Sequence, residues 1–158
     1  GGDNFAALFC GVKLIENRLK IVVFDVIYSK YGVEAVSQRI IEKTMQYGCD
    51  RVQIESNGLG LAAVMLVKKE LPVSSIVKAV PADDNKEVRI NGAYEYIQRN
   101  FIFDQNYKNN PEYFQYITHL SGYCATENTR EDNKHRTDAI DCTAQAANIV
   151  RQKFKYIV

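Results

Sequence analysis

Several marks of secreted, membrane and zinc-binding proteins are missing from this sequence. It has four cysteines in 158 residues, and no two of them have the C-x-x-C spacing of a zinc site. We therefore expect Cys10, Cys49, Cys124 and Cys142 to be reduced thiols in a reducing compartment. No apolar run approaches the ~20 residues needed to cross a membrane, and no basic segment precedes an apolar one as in a secretory signal.

The sequence also lacks a large excess of positive or negative charge. The net charge is +1, so attraction of nucleic acid by the whole surface is not supported and any such site must be a local patch. Hydrophobic residues make up 46%, close to the globular average, and the length suits one folded domain, 1–158. The first residue is not methionine, so we expect the chain to be one domain of a longer protein.

Strand and helix patterns alternate along the chain. A polar turn at Glu16, Asn17 and Arg18 separates two apolar runs and predicts an antiparallel hairpin. The predicted strands are 5–13, 19–28, 51–55, 76–80 and 101–103. The predicted helices are 33–47, 59–71, 86–99, 111–120 and 137–153, with a polar loop at 122–135. This order predicts an α/β fold, a mixed β-sheet flanked by α-helices.

Glu55 is the most informative acid. It ends the predicted strand 51–55 and is followed by Ser-Asn-Gly-Leu-Gly. Functional groups of open α/β sheets collect just beyond the carboxyl ends of strands, so Glu55 is a candidate metal ligand. The alternative is a solvated glutamate at a strand end.

Asp138 and Asp141 form the second candidate group. Thr137 is a suitable N-cap residue, and the two acids then lie three apart in the first turn of the last helix. Acids are also favoured at this position by the helix dipole, so the alternative is a solvated helix face. Asp3, before the first strand, is the third candidate, with a turn residue as its alternative. Three or four converging carboxylates would suit divalent cations, but sequence spacing cannot show that they meet.

Basic residues cluster locally at a few places in the sequence. Candidate DNA contacts are Arg130, Lys134, His135 and Arg136 before the last helix, together with Lys86 and Arg89. A local basic cluster of this kind could contact the phosphates of a nucleic acid, which carry no sequence information. Solvated faces are the alternative for these basic residues, and His135 could instead position water.

Four segments together resemble the C-terminal nuclease domain of tailed-phage large terminases, a ribonuclease H-like domain. G-D-N-F-A-A at 2–7 is similar to the G-x-D-Y-x-A segment of that family, and I-E-S-N-G-L-G at 54–60 to its second acidic motif. K-E-V-R-I-N-G-A-Y-E-Y-I at 86–97 resembles the segment before the last helices. H-R-T-D-A-I-D-C-T-A at 135–144 is similar to the third acidic motif, H-D-D-A-x-D-A.

The resemblance implies roles for the acids. Glu55 takes the place of the second metal ligand, Asp138 that of the third, and Asp141 that of a further ligand or a group that supports one. Two departures are visible. Thr137 stands where the family often has an aspartate, and the family's first metal-binding aspartate lies on a strand before the segment that contains Asp3. We expect that strand to lie upstream of residue 1.

The resemblance also implies a function. It is cleavage of concatemeric double-stranded viral DNA during genome packaging, with two Mg²⁺ or Mn²⁺ ions, in the host cytoplasm. The implied partners are an upstream ATPase domain of the same polypeptide, the portal and the small terminase subunit. The chain itself has no G-x-x-x-x-G-K-[ST] motif for ATP.

Two other functions stay open at this point. One is a catalytically silent ribonuclease H-like module that docks DNA or the portal, which a missing first aspartate would favour. The other is a different nuclease of the same superfamily, such as a junction resolvase. The helical segment 86–121 and the last acidic motif argue against the second.

Overall fold

A computed structural model describes residues 4–72, 75–81, 85–123 and 137–154. They form five strands, five α-helices and a short 3₁₀ helix at Tyr107–Asn109. The strands are β1 Phe5–Ile15, β2 Arg18–Ser29, β3 Arg51–Glu55, β4 Ile76–Val80 and β5 Phe101–Phe103. The helices are α1 Val33–Tyr47, α2 Leu59–Glu70, α3 Lys86–Asn100, α4 Pro111–Ser121 and α5 Asp138–Lys153.

The predicted hairpin is confirmed, with longer strands and a shorter turn. Strands β1 and β2 pair antiparallel from Phe5↔Ser29 to Ile15↔Arg18. Only Glu16 and Asn17 lie outside the strands, and both have positive φ, 50° and 62°. Positive φ at both residues gives the turn the twist of the flanking strands, so Arg18 stays within β2.

The first compact unit contains this hairpin and everything from Lys86 onward. Strand β5 pairs parallel with β2, which makes a mixed sheet of order β1-β2-β5. Helix α4 contacts β2, and α5 contacts both β1 and α3. The phenol of Tyr113 ties α4 to the sheet, because it donates to the carbonyl of Val23 at 2.6 Å. The predicted fold class, a mixed sheet flanked by helices, is confirmed here.

The second compact unit runs from Lys30 to Asn85. It contains α1, α2 and a parallel pair of strands, β3 and β4, in which Glu55 is opposite Val80. Its buried apolar residues come from both helices and from β3: Val36, Ile40, Ile41, Ile54, Ala63, Val64 and Val67. Each unit therefore has buried apolar side chains of its own.

The remaining differences from the predicted pattern are local. Thr137 occupies the N-cap position of α5, as predicted, but its backbone is helical (φ −87°, ψ −8°) and its side chain makes no capping hydrogen bond. Cys10, Cys49 and Cys142 are free thiols, as expected, while Cys124 lies outside the described residues. The predicted polar loop also falls almost entirely outside them. Within the described ranges, no helix is long and apolar enough to span a membrane.

Candidate functional site

Asp138 and Asp141 lie together in the first turn of α5. Their side chains are only 13% and 11% exposed, although carboxylates at a helix start are usually solvated. The interpretation of these two residues as a solvated helix face is therefore wrong. Buried carboxylates need partners, and both residues have them.

Helix α3 provides the cationic partners. The guanidinium of Arg89 makes a two-pronged contact with Asp141, Nε to Oδ1 at 2.7 Å and Nη2 to Oδ2 at 3.0 Å. The ammonium of Lys86 lies 3.0 Å from Oδ1 of Asp138 and 3.9 Å from Oδ2 of Asp141. Lys86 and Arg89 thus hold the acids of α5, and their predicted contact with DNA stays a prediction.

The start of β1 completes the surroundings of Asp138. The backbone N–H of Asn4 donates to Oδ2 of Asp138 at 3.1 Å, and the thiol of Cys142 donates to the carbonyl of Ala6 at 3.5 Å. Asp3 itself is outside the described residues, but its neighbour is bonded to Asp138. The family-like segments 2–7 and 135–144 are therefore in contact in the structure, through Asn4 and Asp138.

Tyr28 and His119 lie beside this contact, and the sequence analysis missed both. The phenol of Tyr28 shares a hydrogen bond with Nδ1 of His119 at 2.8 Å. Burial raises the pKa of Tyr28 to about 12, a hydrogen bond from the Asn4 side chain lowers it, and the charge of Asp138 raises it further. Only contacts between residues distant in sequence reveal this network, so no motif could have found it.

Tyr116 fixes the start of α5 from another side. It is completely buried, and its phenol donates to the carbonyl of Ala139 at 2.9 Å and hydrogen-bonds to Thr143. Its ring also packs edge-on against that of Tyr28, with 5.5 Å between the ring centroids. The first turn of α5 is thereby held between α4 and the sheet.

Glu55 is positioned by its own backbone surroundings in the second unit. Gly58 follows with a positive φ of 54°, which L side chains rarely adopt. A Cβ atom on Gly60 would overlap the carbonyl oxygen of Glu55 and lie 2.9 Å from its carbonyl carbon. Both glycines of the Ser-Asn-Gly-Leu-Gly segment are thus required for the step from β3 into α2. The sharing of one metal by Glu55 and Asp138 stays a prediction.

The fit to a metal rests on the aspartate pair. Across the four described ranges, no three His, Cys, Asp or Glu side chains lie close enough to hold a metal ion. Asp138 and Asp141 nevertheless direct one oxygen each toward a single cation, the ammonium of Lys86. Carboxylate oxygens are the ligands preferred by Mg²⁺ and Mn²⁺, so this pair fits part of such a site. Arg130, Lys134, His135 and Arg136 lie outside the described residues.

Comparison with known families identifies the family of the chain. The sequence matches the terminase RNaseH-like domain family over residues 4–149, which is nearly the whole chain. The chain therefore belongs to that family, as the resemblance implied. No curated protein and no solved structure matches the sequence at a significant level.

Proposed function

We propose that the chain is the nuclease domain of a large terminase, a metal-dependent endonuclease that cuts concatemeric viral double-stranded DNA during packaging. One observation carries the proposal. Two largely buried carboxylates, Asp138 and Asp141, point at one cation from the third acidic motif of a terminase RNaseH-like domain. Burying two carboxylates costs free energy, and binding of a cation between them would offset that cost. A cation-binding role therefore explains why both side chains are buried.

The proposed ligands are Asp138 first, then Glu55, with Asp141 as a further ligand or as support for Asp138, and Asp3 near them. Two Mg²⁺ or Mn²⁺ ions, when bound, activate water and stabilise the oxygen that leaves the cut phosphodiester. The described residues would hold and orient these carboxylates. Arg89 fixes the rotamer of Asp141 through two parallel contacts, and the amide of Asn4 fixes that of Asp138.

For DNA, we propose phosphate contacts by Arg130, Lys134, His135 and Arg136. These residues precede α5 in sequence, and therefore precede the acids of its first turn. The proposed partners are an ATPase domain upstream in the same polypeptide, the portal and the small terminase subunit, in the cytoplasm of the host.

We also propose that residues 1–158 act as one nuclease domain completed by a further strand. Among the described residues, β1 has a single hydrogen-bonded neighbour, β2, so its other edge is open to pairing. The start of β1 is bonded to Asp138, so a strand added there would end or begin beside the acids. Such a strand is the expected carrier of the family's first aspartate.

A second function is favoured by a specific observation. Lys86 and Arg89 neutralise Asp138 and Asp141, and the described residues contain no three-residue metal cluster. A catalytically silent module that docks DNA or the portal would have these properties.

A plasmid-nicking assay with Mn²⁺ separates the two functions. It compares residues 1–158 with a protein extended upstream, which we expect to cut much faster. In the extended protein, Asp138→Asn and Glu55→Ala should each lower the rate about a hundredfold or more, because even loss of second-shell support costs 10–100-fold. Glu95→Gln, a change at an 81% exposed acid on α3, is the matched control and should cut normally.

Three results would change the conclusion. Cutting that persists in excess chelator would contradict metal dependence. An extended protein that binds DNA but never cuts would favour the silent module, and a short protein that cuts as fast as the long one would make Asp3 the third ligand.

A further inference from the structure

Lys86 and Arg89 approach the same acids in different ways. The Arg89 side chain is 10% exposed and binds Asp141 through two nitrogens, whereas the Lys86 side chain is 40% exposed and contacts each acid through its single ammonium. A planar guanidinium in a two-pronged pair is held in orientation, while an ammonium on a four-carbon chain can move without breaking a specific geometry. Of the two cations, Lys86 is the one that can leave.

The oxygens of Asp138 are both engaged. Oδ2 accepts from the Asn4 amide at 3.1 Å, and Oδ1 is 3.0 Å from the Lys86 ammonium. A divalent cation that binds the Asp138 carboxylate would therefore lie close to the Lys86 ammonium and compete with it for the carboxylate oxygens. Two cations at such a distance repel each other strongly where exposure is as low as 13%.

We propose that Lys86 is a tethered cation that holds the place of the divalent ion at Asp138 and moves to a DNA phosphate when the ion binds. This inference rests on the proposed function and adds to it a residue that couples metal binding to DNA binding. Arg89 is by contrast a positioning residue, which keeps its contact with Asp141 in both states.

Metal affinity tests the first half. Mn²⁺ binding to the upstream-extended protein is measured by titration calorimetry for the wild type, Lys86→Met and Arg151→Met. Removing the competing contact of Lys86 should tighten Mn²⁺ binding about tenfold, as expected for loss of a charge-assisted contact. Arg151→Met removes one positive charge from α5, at a point about 20 Å along that helix from Asp138, and should change the affinity less than about twofold.

Folding is checked in the same samples by circular dichroism in chelator. If Lys86→Met is unfolded, Lys86→Gln, which keeps a hydrogen-bond donor but no charge, takes its place with the same expectation. Equal Mn²⁺ affinity in the wild type and the folded Lys86 variant would overturn the exchange and leave the proposed function intact. Absence of Mn²⁺ binding in every variant would overturn the proposed function as well.

The salt dependence of DNA binding tests the second half. Binding of a short duplex is measured by fluorescence anisotropy at several salt concentrations, with Ca²⁺ as a carboxylate-binding ion and again with chelator. In Ca²⁺, the slope of log K against log salt should be steeper by about one for the wild type than for Lys86→Met, which corresponds to one phosphate contact. In chelator the two slopes should agree. A difference of the same size in both conditions would show that Lys86 contacts DNA regardless of the metal, and would overturn the coupling.

Discussion

The two acid-bearing regions are built in opposite ways. Asp138 and Asp141 are held by side-chain and amide contacts from residues 52 and 134 positions away in sequence. Glu55 is placed by its neighbours along the chain, because β3 pairs with β4 and the glycines at 58 and 60 set the path that follows. The site at Asp138 and Asp141 can change state when one side-chain partner moves, whereas the path of the chain at Glu55 depends on the backbone that surrounds it.

The largest effect should come from the backbone-held region. Gly60→Val places a branched side chain against the carbonyl of Glu55, where even a Cβ overlaps. We expect a loss of roughly 3 kcal/mol or more in the free energy of unfolding, since backbone cannot yield as a side chain can. Chemical denaturation followed by circular dichroism measures it.

Gly92→Ala provides the control for Gly60→Val. Gly92 is also a helical glycine, but nothing lies within 4 Å of its added Cβ. Its replacement should be neutral or should stabilise the protein by up to about 1 kcal/mol. If both substitutions cost the same, backbone crowding at Glu55 is not the reason.

The next largest effect concerns the region held by side chains. Arg89→Met should cost about 3 kcal/mol, because it leaves the carboxylate of Asp141, 11% exposed, without its main cation. Arg99→Met is the matched control. Its side chain is 77% exposed and its guanidinium lies 3.7 Å from the Glu95 carboxylate, so its loss should cost about 0.5 kcal/mol or less.

A double variant sharpens this result. Arg89→Met combined with Asp141→Leu removes both charges and should recover much of the stability lost by Arg89→Met alone. Denaturant unfolding of the four proteins in this cycle measures the coupling. Additive losses would contradict a direct pair between Arg89 and Asp141.

A smaller effect is expected at Tyr28, in the network beside Asp138. Its pKa is raised by burial from 10.0 to about 12, so between these pH values the unfolded chain has lost a proton that the folded protein keeps. The stabilisation is complete below pH 10 and is lost as the pH rises toward about 12. Tyr28→Phe should therefore make the decline of stability with pH shallower by about 1.4 kcal/mol per pH unit in this window.

Tyr31→Phe controls for the loss of any phenol, because the Tyr31 side chain is 64% exposed. Its alkaline slope is measured beside that of Tyr28→Phe. At neutral pH, Tyr28→Phe should cost only about 1 kcal/mol, the net value of a hydrogen bond such as the one to His119. If the free energy of unfolding falls with pH equally in Tyr28→Phe and in the wild type, groups other than Tyr28 cause the loss of stability at alkaline pH.

Sequence reasoning predicted the elements well because they are local. Residues 33–47 carry helical periodicity and end before Gly48, which has the left-handed conformation that such an end needs. The pairing of β5 with β2 was not predicted, because the sequence of a three-residue apolar strand does not indicate which strand it pairs with. For the site, the motifs predicted the acids as metal ligands and Lys86 and Arg89 as DNA contacts, and both stay predictions. The contact of Lys86 and Arg89 with acids 52 residues away depends on how α3 packs on α5, and neither pattern nor charge reveals that.

The direct connection between α3 and β5 limits how Lys86, on α3, can move away from Asp138 and Asp141. Helix α3 ends at Asn100 and β5 begins at Phe101, with no residue between them to serve as a hinge. The ammonium of Lys20, on β2, also binds the carbonyl of Arg99 in the last turn of the helix. The last turn of the helix is thus fixed to the sheet, and the rest of it is restrained by packing against α5 through the buried residues Ile90, Ala93 and Ile97. We therefore expect Asp138 to be uncovered by rotation about the side-chain bonds of Lys86, whose side chain is 40% exposed, on the picosecond-to-nanosecond scale rather than by a slower movement of the helix.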